Sequence, residues 1–273
     1  MIIDGHAHAC GDYLTPESII KNLNENHVDK VLLSPGELNS HKIYPIPNIA
    51  ELFPKQNVVK FLNATTKLVT QLTGAVNGIP PGNDYVYNLS TKCPGRVLQC
   101  IWITSLIPDP LSYLSQKMNA WHFKCVKIHQ GWENISVDSP FFKNMAEWTE
   151  TNDLPLFIHP LSDSEVLKLI EYKKKHQNLK LIIAHLFGVE QFIKNGFKDN
   201  NLYFDISSLQ YTSTFRLFKA IRFFGAEKIF LGSDTPYGKD NLKKNIERIY
   251  SLNISNSDKE LILGKNLNRL LLL

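Results

Sequence analysis

The sequence predicts an α/β chain folded as one (β/α)₈ (TIM) barrel, with a helical insertion between strands 2 and 3. Three observations predict it. Eight short apolar runs are spread along 273 residues, and in the second half they alternate with segments of helical periodicity. Strand starts there recur roughly every 20–30 residues, the length of one βα unit. Several runs also end abruptly on a histidine or an aspartate, as expected where strand ends meet at the C-terminal face of a barrel.

In chain order the strands are read at Met1–Asp4, Lys30–Leu33, Val97–Ile103, Cys125–Ile128, Leu154–Ile158, Leu179–Ala184, Asn201–Ile206 and Lys228–Gly232. Helices are expected near Pro140–Thr151, Ser162–His176, Val189–Asn195, Thr212–Phe224 and Asp240–Leu252. An open doubly wound sheet competes, but it would usually carry a Gly-rich phosphate turn after its first strand, and GHAHAC is not one. The whole chain, 1–273, is read as a single domain. The segment 36–95, which contains Pro45, Pro47, Pro54, Pro80 and Pro81, is too long for a structureless loop in a compact domain. Helices are expected within it around Gln56–Thr73 and Asn83–Lys92, either as a lid over the site or as a packing element.

Composition narrows the function classes. Hydrophobic residues at 43% and charged residues at 21% are ordinary for a soluble globular protein. The net charge of +4 comes from scattered lysines, such as the solvated-face run Lys173–Lys175, and no basic stripe is interleaved with aromatics. Nucleic acid is therefore not an expected partner. No apolar stretch reaches the ~18 residues of a membrane span. The N-terminus MIIDGHAHAC does not read as a signal peptide, and Cys10, Cys93, Cys100 and Cys125 form no disulfide framework. A cytoplasmic protein with a small-molecule substrate is expected, with a homodimer among the admissible assemblies.

The chemistry lies at the strand ends. His6 and His8 close the first strand, and residues i and i+2 of a strand project to one side, so both imidazoles can reach one ion. The pattern recurs as VKI into His129, LFI into His159, IIA into His185 and FLGS into Asp234. A lone strand-end histidine is usually a hydrogen-bonded core residue; five on four strands, with an aspartate on the last, indicate a metal site. His27, His41, His122 and His176 fall in loops or helices and are read as surface or packing residues. Lys127 shares the parity of His129 and should face the interior, where an unpaired ammonium is costly. It is expected to pair with an inward carboxylate such as Asp4, to bind substrate, or to be carboxylated into a metal bridge. Asp205 and Ser207 have the parity to face the site, or to brace the barrel mouth. Trp102, Trp132 and Tyr237 either flank a planar substrate or pack, and Cys10 is read as a packed thiol.

The segments IIDGHAHA, VKIHQGW, LPLFIHP, LIIAHLFG, LYFDIS and FLGSDTPYG, in this order and with GNDYVYNLSTKCPGR before strand 3, resemble the amidohydrolase superfamily, and more closely its amidohydrolase-related (amidohydrolase 2) branch of hydrolases and decarboxylases. The resemblance runs from Ile2 to about Gly238. It implies that His6, His8, His159 and Asp234 hold the metal and that His185 is a catalytic acid/base or polarising group beside it. His129 is a further site candidate, and Lys127 occupies the place of the bridging lysine of two-metal relatives. The related TatD-like nucleases usually carry a glutamate near strand 4, where this chain reads VKIHQG.

Three histidines and one carboxylate suit one zinc ion and leave a place for water, with Mn²⁺, Fe²⁺, Ni²⁺ or a two-metal site as alternatives. Asp234 is placed as the proton acceptor from water and His185 as a carbonyl polariser. The expected activity is hydrolysis of an amide, ester or lactone. A decarboxylase acting on an unsaturated or aromatic acid is the alternative, disfavoured by the absence of arginines at strand ends. A catalytically inactive metal-binding barrel is the remaining class.

Overall fold

The computed structural model describes the backbone of all 273 residues and the side chains of all but residues 64–66 and 69–71. The strands are β1 (Ile3–His8), β2 (Lys30–Ser34), β3 (Val97–Trp102), β4 (Cys125–His129), β5 (Leu156–His159), β6 (Leu181–Ile183), β7 (Leu202–Asp205) and β8 (Ile229–Phe230). They form one sheet in sequence order, every neighbouring pair parallel. The sheet curls into a nearly closed barrel: the Gly5 N–H donates to the Leu231 carbonyl at 2.9 Å and the Asp234 N–H to that of His6 at 2.7 Å, joining the exit of β8 to β1.

Thirteen helices are described: α1 (Pro16–Glu25), α2 (Ile49–Leu52), α3 (Val59–Thr73), α4 (Ile79–Lys92), α5 (Pro110–Trp121), α6 (Gln130–Glu133), α7 (Pro140–Thr151), α8 (Asp163–Lys175), α9 (Val189–Lys194), α10 (Thr214–Phe224), α11 (Asn241–Ser251), α12 (Asn256–Glu260) and α13 (Asn266–Leu270). Their starts are written locally. Thr15, Asp109, Ser139, Ser162, Ser213 and Ser255 each accept a backbone N–H of the first turn, and a proline opens α1, α5 and α7. The sequence reading had no helix at α1 or α5, although both carry this Asp/Thr-Pro start signal.

Strand alternation divides the apolar residues into two cores. Ile3, Leu32, Cys100, Cys125, Phe157, Ile182 and Phe230 fill the barrel, closed from below by Leu267 and Leu270 of α13 and by Leu271 just after it. Val31, Leu33, Ile101, Val126, Ile158 and Phe204 face outward onto helix residues such as Leu23, Leu114, Leu169 and Leu217. Gly5 sits where the barrel closes, and a Cβ there would lie 2.6 Å from the Phe230 ring and 2.8 Å from the Leu231 oxygen. Gly5→Ala is therefore expected to cost about 1–3 kcal/mol by overpacking, read as a lower midpoint in urea. An unchanged midpoint would show that this seam is loosely packed.

One irregularity reverses an expectation. Asp4 pairs with Val31 and Ala7 with Leu33, so β1 holds one residue more than β2 over this interval. The bulge flips the parity between Asp4 and His6. Asp4 thus lies on the outer side, accepting from the Tyr13 hydroxyl at 2.9 Å and the Ser233 N–H at 2.8 Å, and the proposed Asp4–Lys127 pair does not form.

Segment 36–95 divides into two parts with different jobs. Helix α4 is a barrel helix: Asn83 donates to the Trp102 carbonyl, accepts from the Trp102 N–H, and through its own carbonyl accepts from Gln99. Among the described residues, α3 and the stretch before it reach the mouth, through Tyr44, Ile46, Val59, Leu62 and Asn63.

Candidate metal centre

Past the bulge, His6 and His8 both point into the barrel mouth. The Nδ1 of His8 lies 2.6 Å from the Pro35 carbonyl, which can only accept, so Nδ1 carries the hydrogen and Nε2 keeps its lone pair. The same logic applies to His6, whose Nδ1 lies 3.0 Å from Asp205 Oδ2 and 2.9 Å from Ser207 Oγ. The two bare Nε2 atoms converge on Asp234 Oδ1, at 3.6 Å from His6 and 3.5 Å from His8. His6, His8 and Asp234 each offer one ligand atom, all within 4.8 Å of one another and all buried; His6, His185 and Asp205 form a second such group among the described residues. The ammonium of Lys127 also reaches this centre, 2.8 Å from His6 Nε2 and 3.4 Å from His8 Nε2, with the Trp102 ring beneath it at 4.9 Å.

Burial governs the protonation states. It holds His6, His8, His129 and His159 well below the usual imidazole range, helped by the charge of Lys127 or of neighbouring histidines. It lowers Lys127, and raises Asp205. Asp234 is pushed up to about 6, opposed by the charges of His185 and Lys127. Neutral imidazoles with oriented lone pairs beside a carboxylate ionised at neutral pH are the donor set a divalent transition ion requires. The residues present fit such an ion, with His6, His8 and Asp234 holding it.

The other candidates share one cavity of about 290 Å³ with these three. His185 follows β6 in a left-handed conformation (φ 57°), its Nδ1 2.5 Å from the Ser207 carbonyl. That contact also fixes a tautomer, leaving Nε2 bare, so neutral His185 is a proton acceptor and becomes a donor only once protonated. Asp205 does not touch the cavity. It braces the centre from behind, accepting from His6 Nδ1, the His185 N–H at 3.2 Å and the Ser207 N–H at 2.5 Å. His129 stacks on His159 at 3.9 Å and on Trp102 at 5.6 Å. His159 lines the cavity, but its Nε2 lies 2.9 Å from Asn63 Oδ1, and it does not belong to either donor group. Trp102, Trp132 and Tyr237 all line the cavity. Cys10 is buried, its thiol pushed up to about 12 by burial, and offers no thiolate at neutral pH. Sequence reasoning missed Tyr44, Asn63 and Tyr211, all of them cavity residues outside the strand ends.

A nearly closed ring of parallel strands with an H-x-H end on β1 and a buried aspartate after β8 is a barrel whose mouth could hold a metal ion. The profile of the family described as Amidohydrolase (Amidohydro_2) matches residues 3–273, and the chain belongs to this family. No curated protein matches its sequence. Among solved structures it is similar to 5-carboxyvanillate decarboxylase from Sphingomonas paucimobilis (14% identity, TM-score 0.67, covering 100% of this chain and 99% of the other). It is also similar to a dihydroxybenzoic acid decarboxylase from Polaromonas sp. JS666 with bound manganese and the inhibitor 2-nitroresorcinol (15%, 0.66, 99% and 96%). A third is 4-oxalomesaconate hydratase from Rhodopseudomonas palustris (13%, 0.67, 99% and 95%). At these identities the likeness speaks for the fold alone.

Proposed function

We propose that this enzyme is a metal-dependent hydrolase that activates water to cleave an ester, lactone or amide of a small molecule. The convergence of two lone-pair imidazoles on the buried carboxylate of Asp234 carries this reading. A divalent ion held by His6, His8 and Asp234, zinc in the first instance, supplies Lewis acidity at this point when bound. Asp234 takes the proton from the attacking water and returns it to the leaving group. His185, with Nδ1 committed to Ser207, presents Nε2 to the site and in its protonated form donates from it to the developing oxyanion. The ammonium of Lys127 adds positive charge at the same point, and the aromatic walls exclude water.

One observation favours decarboxylation as a second reading. Trp102, His129 and His159 form a stacked wall, and Tyr44 and Tyr237 stack nearby, a setting suited to a flat unsaturated acid. No arginine lines the cavity to take its carboxylate, leaving Lys127 as the available cation. Chelation followed by metal readdition tests the shared claim: activity should fall at least about 10²-fold and return with the ion. Assaying aryl esters and lactones against carbon dioxide release from aromatic acids divides the two chemistries. Carbon dioxide release without hydrolysis would overturn the hydrolase reading, and activity indifferent to chelation would overturn both.

A further inference from the structure

Tyr44, Tyr211 and Tyr237 all line the cavity, but their hydroxyls are not in the same state. Tyr44 donates to Glu37 Oε2 at 2.6 Å. The hydroxyls of Tyr211 and Tyr237 have no hydrogen-bond partner among the described residues, although both residues are half-buried. A buried phenol usually finds one. Each ring is held from the side: Tyr211 stands edge-on to His185 at 5.6 Å, and Tyr237 edge-on to His8 at 5.8 Å with Tyr44 stacked on it at 5.6 Å. Two oriented donors thus flank the centre, one on its His185 side and one on its His8 side. A phenol with a pKa of about 10 keeps its hydrogen at neutral pH.

Charge sets a second limit. Among the described residues the lining holds no arginine and one lysine, and that ammonium lies at the centre itself, against His6 and His8. Ile46, Val59, Leu62 and Trp132 form a wall without a cation. A carboxylate placed against them would be desolvated with no counter-charge.

We propose that Tyr211 and Tyr237 recognise the substrate by donating to an uncharged oxygen on its body, and that the substrate carries no charge away from the metal centre. The proposal rests on the hydrolase reading above and narrows it to small esters or lactones with a carbonyl, ether or hydroxyl oxygen on a flat apolar frame. A cavity of about 290 Å³, at the lower end of the ~300–1,000 Å³ of small-molecule sites, suits a compact ring system. Neutral donors pair with such an oxygen without the counter-charge that a carboxylate demands. They also reject an oxygen-free analogue, which leaves both hydroxyls desolvated and unpaired.

Ligand-observed NMR titration with probes that cannot be hydrolysed tests this on the protein as purified. Indan-1-one, a neutral bicyclic ketone, should bind about tenfold more tightly than indane, its oxygen-free counterpart. Tyr211→Phe and Tyr237→Phe keep the rings and should each reduce that preference about threefold. The double variant should abolish it, with indane affinity unchanged throughout as the sign of an intact cavity. Terephthalate differs from 4-methylbenzoate only by a charge at the far end and should bind at least about tenfold more weakly. Ile46→Arg should close that gap. A ketone preference that survives the double variant overturns the proposal, as does terephthalate matching 4-methylbenzoate in the wild type, or no binding by any probe. If the probes behave as expected but no ester or lactone is turned over, the recognition stands and the hydrolase reading falls. If esters are turned over while the double variant still prefers the ketone, only the role of the tyrosines falls.

Discussion

Asp234→Asn is expected to lower turnover about 10²–10⁴-fold, because it removes the proton acceptor together with the anionic ligand of the proposed ion. The substitution is nearly isosteric, so the loss is one of charge and basicity. It also carries a stability signature opposite in sign. Burial pushes the Asp234 carboxyl from 3.8 up to about 6. A carboxyl with a raised folded-state pKa leaves the protein most stable below 3.8, and that stability is lost as pH rises through about 6. At pH 7 the metal-free protein therefore carries a buried charge costing no more than about 3 kcal/mol. Asparagine removes the charge, so the metal-free variant should melt higher than metal-free wild type at pH 7 and no higher at pH 3.5. The ion requires the carboxylate, so wild-type Zn²⁺ affinity should weaken by about tenfold per pH unit below about 6. His6 and His8, held far lower by burial and Lys127, are already neutral there. A variant that kept its turnover, or whose affinity showed the same step at pH 6, would remove Asp234 from the centre.

Asp205→Asn is expected to weaken metal affinity and turnover by about 10–100-fold without any contact to the ion. All three of its partners are donors: His6 Nδ1, the His185 N–H and the Ser207 N–H. A carboxylate accepts on both oxygens, whereas an amide has one oxygen and one NH₂. Placed toward Ser207, the NH₂ confronts an N–H. Placed toward His6, it confronts the His185 N–H and drives the His6 hydrogen onto Nε2, which then cannot bind metal. NMR of the imidazole nitrogens would show that tautomer change directly. Wild-type affinity with the His6 tautomer unchanged would reduce Asp205 to a packing role.

Much of this site was readable in advance, for a local reason. Side-chain direction alternates along a strand, and in a parallel barrel all C-terminal strand ends open on one face, so HAH, KIH, FIH and IAH predicted shared exposure from spacing alone. The family resemblance then assigned roles to positions already grouped by geometry. The reading failed where backbone irregularity intervened. Alternation applied straight through β1 places Asp4 on the same side as His6, and one extra residue in that strand reverses it. It was also silent on α1 and α5, whose capping signals lay outside the runs used to count elements.

By itself, then, the sequence determined the barrel, the strand ends that face its mouth, and the donor types His6, His8 and Asp234 offer there. Only the tertiary structure decided which nitrogen each histidine presents, that Asp205 supports the centre from behind, and that His159 is turned toward Asn63. The physical reason is range. Strand direction is set within a few residues, but a tautomer is set by whichever acceptor lies opposite the ring. Here those acceptors stand 27 residues away at Pro35, 96 at Asn63 and 199 at Asp205, distances along the chain that only closure of the barrel brings to 3 Å.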